Sequence, residues 1–288
     1  PMTASGLDEL VHAAGGPCTV VLEPTGTVWL PVCAWLIHRG CTVHRVDTRG
    51  AHEFRKFTSR NVKSDSADAE ALARMPGANP SAMRPLVLND ARLHGLDRLA
   101  RLRAQLVGDR TRSVNRLLAT VETYAPACLS VLGAGLTDEK RSLVRHFFDP
   151  TRTVAAGRDG IVRHGLLAEP KVPISLELAD AWLAAEQATL DIVAPLGEGL
   201  PWSYDVAQVE IDIQLDLIDS LDQRVTDLER QISALYKATD PDQMLTTLPG
   251  IGPVIAPLLM AVIGNIVRFR NAKAFVSYCG LAPRKNQT

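Results

Sequence analysis

The spacing of apolar positions divides the chain into segments of different period. Residues 18–22 (CTVVL) form a short apolar run that reads as a buried strand, and Glu23-Pro24-Thr25-Gly26 breaks it. Val28 to His38 is apolar enough for a buried helix, which Gly40 ends. Cys41 to Val46 alternates as a second strand. Strand, helix and strand at this spacing predict a βαβ unit with a parallel sheet. Residues 49–63 follow, with Arg49, Arg55, Lys56, Arg60 and Lys63 against one acid, Glu53. A helix begins near Asp65, because Ala67 to Met75 is rich in helix formers.

Further along, Leu96, Leu99, Leu106, Leu117 and Val121 recur at helical spacing and predict one long helix with a single apolar stripe. Residues 125–205 carry few sharp signals and read as a connector with short helices. In residues 206–237, Ile218, Leu221, Val225, Leu228, Ile232 and Leu235 alternate spacings of three and four, which is a heptad seam. Such a seam serves packing within a chain or a dimer contact. Asp240 and Pro241 end it. The last segment opens with Leu248-Pro249-Gly250-Ile251-Gly252-Pro253, continues as an apolar helix from Val254 to Ile263, and ends in Phe269, Phe275 and Tyr278-Cys279-Gly280-Leu281-Ala282-Pro283.

A length of 288 residues, 46% of them hydrophobic, suffices for about two domains with a sizeable core. Charged residues make up 22% and nearly cancel, at net −1, so a polyanion surface has to come from local clustering. Residues 84–116 supply such a cluster, with eight arginines against three acids. Arg98, Arg101, Arg103, Arg110 and Arg112 on this helix, with Lys63 upstream, are candidate nucleic-acid contacts. The competing reading is a solvated charged face. Five cysteines, none in a C-x-x-C pair, argue against a zinc ribbon or a disulfide framework and point to a reducing, cytoplasmic setting. No apolar run is long enough to span a bilayer, so no membrane partner is expected.

Three carboxylates are candidates for chemistry. Glu23 lies at the C-terminal end of the first strand, where α/β proteins build their sites. Asp65 and Asp68 are three apart at a helix start and share one face. Converging carboxylates repel unless they hold a cation, and hard oxygen ligands suit Mg²⁺ or Mn²⁺, which can assist phosphoryl transfer. Alternatively, Asp65 is a helix N-cap and Asp68 an ordinary first-turn acid. Gly250 and Gly252, in a turn before a helix, let backbone N–H groups approach a phosphate, as in helix–hairpin–helix modules. A tight interhelical turn is the alternative there.

Together these segments resemble the DEDD transposases of bacterial insertion sequences. The matching stretches are Leu22 to Gly26, Lys63 to Ala69, Leu248 to Pro253 and Tyr278 to Pro283, in the family's order and spacing along nearly the whole chain. The resemblance implies a RuvC-like, ribonuclease-H-type N-terminal domain (residues 1–125), a helical connector (126–205), and a coiled-coil helix with a helical C-terminal transposase domain (206–288). The fold class expected is thus α/β plus α. It implies that Glu23, Asp65 and Asp68 are the second, third and fourth catalytic acids, holding Mg²⁺ or Mn²⁺. The family's first Asp precedes the stretch that begins at Pro1, and Asp8 is a poor substitute because Gly6 to Leu10 reads as a helix. The family's serine nucleophile falls at or just beyond Thr288. Both ends therefore look cut, and the chain is expected to bind DNA better than it cleaves it. The partners implied are insertion-sequence ends and target DNA, a guide RNA transcribed from the element, and further copies of the chain. Two rival readings are an inactive nucleic-acid-binding remnant and a RuvC-type junction nuclease; the C-terminal motifs count against the nuclease.

Overall fold

The computed structural model describes residues 2–24, 27–46, 48–58, 64–78, 83, 85–133 and 135–281. The chain forms two compact units, residues 1–90 with 265–288, and residues 91–264.

In the first unit, α1 (Ala4–Ala13) precedes β1 (Thr19–Leu22), α2 (Trp29–His38) and β2 (Thr42–Arg45). The two strands pair in parallel, Thr19 opposite Thr42 and Leu22 opposite Arg45, as the βαβ spacing predicts. They are the only strands of a sheet among the described residues, so the parallel pair and its helix are present without a wider RuvC-like sheet. Cys33, Leu36, Cys41 and Val43 form the buried centre, the cysteines acting as small apolar residues. Trp35 is half-buried. Its Nε1 donates to Asp8 Oδ1 at 3.0 Å, while Arg39 grips both Asp8 oxygens at 2.7 Å, tying α1 to α2. Asp8 therefore lies on a helix, as expected. The unit continues with α3 (Thr48–Thr58) and α4 (Asp65–Ala78), and α4 lies against β1.

The second unit is helical. Its frame is α5 (Ala91–Tyr124) against α10 (Tyr204–Thr239). Contacts between them run in opposite directions at a constant pace. Arg92 Nη1 donates to the Ala238 carbonyl, Arg103 pairs with Glu229, Arg110 with Asp222, Thr120 meets Glu210, and Tyr204 Oη donates to the Tyr124 carbonyl. The helices are thus antiparallel in one fixed register. Ile218, Leu228 and Ile232 of the heptad seam are buried in this unit, so α5 is the seam's partner and no second copy is needed to cover it. A fully buried Leu or Ile contributes about 1.5–3 kcal/mol through exclusion of water. A different stripe of α10, Val206, Val209, Ile213 and Leu217, stays exposed. The boundary between the two compact units falls at the start of α5.

Between these helices lie α6 (Cys128–Leu132), α7 (Asp138–His146), α8 (Pro150–Leu167) and α9 (Leu176–Val193). Two of the four are longer than the short helices expected. Gly157, at φ 62°, breaks α8 within its length. The largest core sits here, around Leu143, Phe148, Ile161 and Trp182 with Ile211 and Leu215 of α10. The Trp182 indole donates to the Phe147 carbonyl at 2.7 Å, which lets a polar N–H be fully buried. After α10, a 3₁₀ turn (Met244–Thr247) leads to α11 (Ile255–Ile263). Ala256 and Ala261 of α11 pack with Leu96, Leu228, Ile232 and Tyr236. The 3₁₀ turn Ile266–Arg268 and α12 (Ala272–Tyr278) belong to the first unit. No helix among the described residues is long and apolar enough to cross a membrane.

Glu186 of α9 is fully buried in the large core, and neither of its carboxyl oxygens has a hydrogen-bond partner of good geometry. Burial pushes its pKa up to about 8, partly offset by the adjacent Cys128 thiol, with Asp149 pushing the same way as burial. An acid whose folded pKa lies above its unfolded value holds its proton more tightly when folded. Stability is then greatest below the unfolded pKa of 4.5 and falls as pH rises towards 8. Denaturant melts of wild type should lose stability across that window at up to about 1.4 kcal/mol per pH unit. In Glu186→Gln the Glu186 share of that slope should be lost, so that stability falls less between pH 4.5 and 8 than in wild type; an unchanged slope would disprove the assignment.

Candidate functional site

The acidic candidates stand on β1 and α4. Glu23 directly follows β1 and is half-buried. Asp65 opens α4 but is not its cap. Ser64 takes that role, its Oγ accepting from the Ala67 N–H at 3.2 Å, which leaves the exposed Asp65 carboxylate uncommitted to capping. Asp68 is one turn further on. Arg55 of α3 donates from Nη1 to both Asp68 oxygens at 2.9 Å. The donor set has the hard-oxygen chemistry of a Mg²⁺ or Mn²⁺ site. Its arrangement does not fit an ion as it stands: among the described residues no three of Asp, Glu, His or Cys are grouped to share one, and Arg55 holds Asp68.

The arginine-rich helix is α5, and α10 answers much of its charge. Arg103 pairs with Glu229 at 2.6 Å and Arg110 with Asp222. Arg101 pairs with Asp97, and Arg112 with Asp109, on α5 itself. From α7, Arg141 reaches Asp219 and Asp222, both at 2.6 Å, and Arg145 reaches Asp216 at 2.8 Å. Burial works to raise the Asp222 pKa, but the Arg110 and Arg141 guanidinia more than offset it and hold the carboxyl below its ordinary value. Arg98 and Arg116 are exposed and make no ion pair among the described residues. Lys63 lies outside the described residues.

The glycine turn connects the 3₁₀ turn to α11. Gly250 adopts φ +83°, a left-handed conformation that side chains disfavour. Gly252 does not, and a Cβ there would meet nothing within 4 Å. Its lack of a side chain is thus not demanded by packing inside the chain. The Gly252 carbonyl accepts from the N–H groups of Ile255 and Ala256 at 3.1 and 3.0 Å and so starts α11. Pro253 and Leu258, beside this turn, line a cleft of about 130 Å³ with Arg103, Glu229 and Ser233.

One signal was passed over in reading the sequence. From Gln243 to Thr288 there is no Asp or Glu, against five basic residues. That asymmetry is as strong as the arginine cluster of α5 and has no acidic partner within its own length.

A transposase family model of the DEDD class matches residues 1–126, and a model described as "Transposase IS116/IS110/IS902 family" matches residues 242–288. Both matched stretches are those of insertion-sequence transposases. The chain belongs to the IS110 family of such transposases. It is 27% identical over 98% of its length to the insertion element IS110 uncharacterized 43.6 kDa protein of Streptomyces coelicolor, covering 67% of that protein. It is 27% identical over 94% to a probable family 20 transposase of Pseudomonas aeruginosa, covering 63% of it, and 24% identical over 93% to the pilin gene-inverting protein of Moraxella bovis, covering 58% of it. The chain thus spans about two thirds or less of the length of these relatives.

The ion-pair pattern separates structural from available arginines. Asp222→Ala leaves the half-buried Arg110 guanidinium without its ion pair and Arg141 with Asp219 alone, and should cost about 1–3 kcal/mol in a denaturant melt. Arg98→Ala and Arg116→Ala should leave the melt unchanged and lower affinity for duplex DNA. The distinction fails if Arg98→Ala and Arg116→Ala destabilise the chain as much as Asp222→Ala does.

Proposed function

We propose that this chain acts in DNA transposition, binding the ends of its insertion sequence and a target DNA and taking part in metal-dependent strand cleavage and transfer. Glu23, Asp65 and Asp68 are the carboxylates of that reading, with Mg²⁺ or Mn²⁺ as the ion. One observation carries it above the others. Glu23 stands at the end of a parallel strand, the helix bearing Asp65 and Asp68 lies against that strand, and the whole stretch falls within the DEDD transposase match.

Nucleic acid, whether DNA or a guide RNA from the element, is proposed to meet Arg98 on α5 and the backbone at Gly250 and Gly252. Phosphate contacts of this kind position a strand without reading its sequence. The test is a gel-shift and nicking assay on the element's end DNA with Mg²⁺. Glu23→Gln, Asp65→Asn and Asp68→Asn should each abolish nicking and keep binding. Gly252→Ala should fold normally, since the space is open, yet bind duplex more weakly. Nicking that survives Asp65→Asn refutes the acid assignment, and unchanged binding by Gly252→Ala removes the turn from the interface.

Assembly into a homo-oligomer is part of the same reading. On α10 the face available for it is Val206, Val209, Ile213 and Leu217, because the heptad seam is covered by α5. Sedimentation should show wild type associated and Ile213→Asp dissociated. The same state in both would exclude this face.

A further inference from the structure

The acid-free stretch from Gln243 to Thr288 carries Arg268, Arg270, Lys273, Arg284 and Lys285. Within it, residues 265–281 are folded by two asparagines. Asn265 Oδ1 accepts from the Val267 N–H at 3.0 Å, starting the 3₁₀ turn, and Asn271 Oδ1 accepts from the Ala274 N–H at 2.9 Å, starting α12. These turns bring Phe269 back against α12, with its ring centroid 5.2 Å from those of both Phe275 and Tyr278. The Arg268 guanidinium carbon sits 4.6 Å from the Phe269 centroid and 4.5 Å from that of Tyr278. This cluster is not core. Tyr278 is 50% exposed, and Arg268, Arg270 and Lys273 are exposed as well.

We propose that Arg268, Tyr278, Arg270 and Lys273 form a platform for single-stranded nucleic acid. A base stacks on the Arg268–Tyr278 pair, and Arg270 and Lys273 neutralise the adjoining phosphates. Stacking on aromatic rings and guanidinium planes tolerates any sequence, because every base has a π face. The two rings already hold the guanidinium in place, so little side-chain freedom remains to be lost when a base stacks on it. Paired bases present no such face, so the platform distinguishes a single strand from a duplex. A membrane surface is the rival occupant, given the exposed Ile266, Val267 and Leu281. The observations favour nucleic acid: α12 has only seven residues, too few for an amphipathic helix lying in an interface, and cation and rings are stacked together rather than set on opposite faces. This inference rests on the reading that the chain handles nucleic acid and adds where a single strand is held.

The experiment measures binding of fluorescein-labelled oligothymidylate and of a random-sequence duplex to the whole chain over a salt series. Tyr278→Ala should weaken oligothymidylate binding about fivefold to a hundredfold, the worth of one stacked base, and leave duplex binding and the salt slope unchanged. Tyr278→Phe should bind as wild type does. Lys273→Ala should lower the salt slope on the single strand by about 0.7, one phosphate's share. If Tyr278→Ala melts early, Arg268→Lys, which keeps the charge but loses the plane, should show the same selective loss. Equal single-strand affinity in wild type, Tyr278→Ala and Arg268→Lys overturns the proposal. So does an equal loss on both probes, or a loss of binding to phosphatidylglycerol vesicles with oligothymidylate binding intact. Failure of the acid assignment reads out separately: Tyr278-dependent strand binding that persists in Asp65→Asn supports the platform whatever that variant does to nicking.

Discussion

The antiparallel pairing of α5 with α10 is the constraint on which the second unit depends. Two helices of 34 and 36 residues meet along their lengths. Apolar residues supply the driving force, but a plain apolar stripe tolerates sliding by a turn. The flanking charges do not. Arg103 with Glu229 and Arg110 with Asp222 match only in one register, since a shift of one turn sets each guanidinium beside the wrong side chain. Both ends of the pair are then used. At one, α11 closes over Leu96, Leu228 and Ile232; at the other, α6 to α9 enclose Trp182 and Phe148.

That register redistributes the electrostatics. The sequence puts a basic excess on α5, yet in the fold Asp222 of α10 is shared by Arg110 of α5 and Arg141 of α7, and Asp219 by Arg141 and Arg145 of α7. Charges committed in this way hold helices together and are poorly available to a polyanion. On α5 itself, Arg98 and Arg116 stay outside these pairs and face outward. A neutral net charge thus conceals a division between arginines that build the fold and basic residues that face outward.

The acids of α4 follow the same electrostatic logic on a smaller scale. Carboxylates three residues apart on a helix repel each other unless a cation lies near. Here the cation beside Asp68 is the Arg55 guanidinium. A guanidinium offers carboxylate oxygens a single positive charge through directed N–H donors, half the charge of a divalent ion and without its coordination geometry. Glu186 is the counterexample within the same chain: buried without a cationic partner, it is driven towards its neutral form instead.

Local features were legible in the sequence. The parallel β1–α2–β2 unit, the start of α4, the long helices α5 and α10 and the glycine turn before α11 all follow from periodicity and turn chemistry acting over a few residues. The four motifs identified the family for the same reason. What covers each face was not legible. Periodicity shows that Ile218, Leu228 and Ile232 share a stripe, but not that the stripe meets α5 rather than a second copy. Composition counts the arginines of α5, but a partner 112 residues away decides that Arg110 is structural. Residues 125–205 looked featureless because Trp182, Phe148 and Glu186 are buried by several helices at once, with no repeat along any one of them. Asp68 could be read as a cap neighbour or a metal ligand, and only the folded α3 placed Arg55 against it. The sequence alone determined which local elements form; the tertiary structure decided their partners, because burial and ion pairing are properties of surfaces that meet only after the chain has folded.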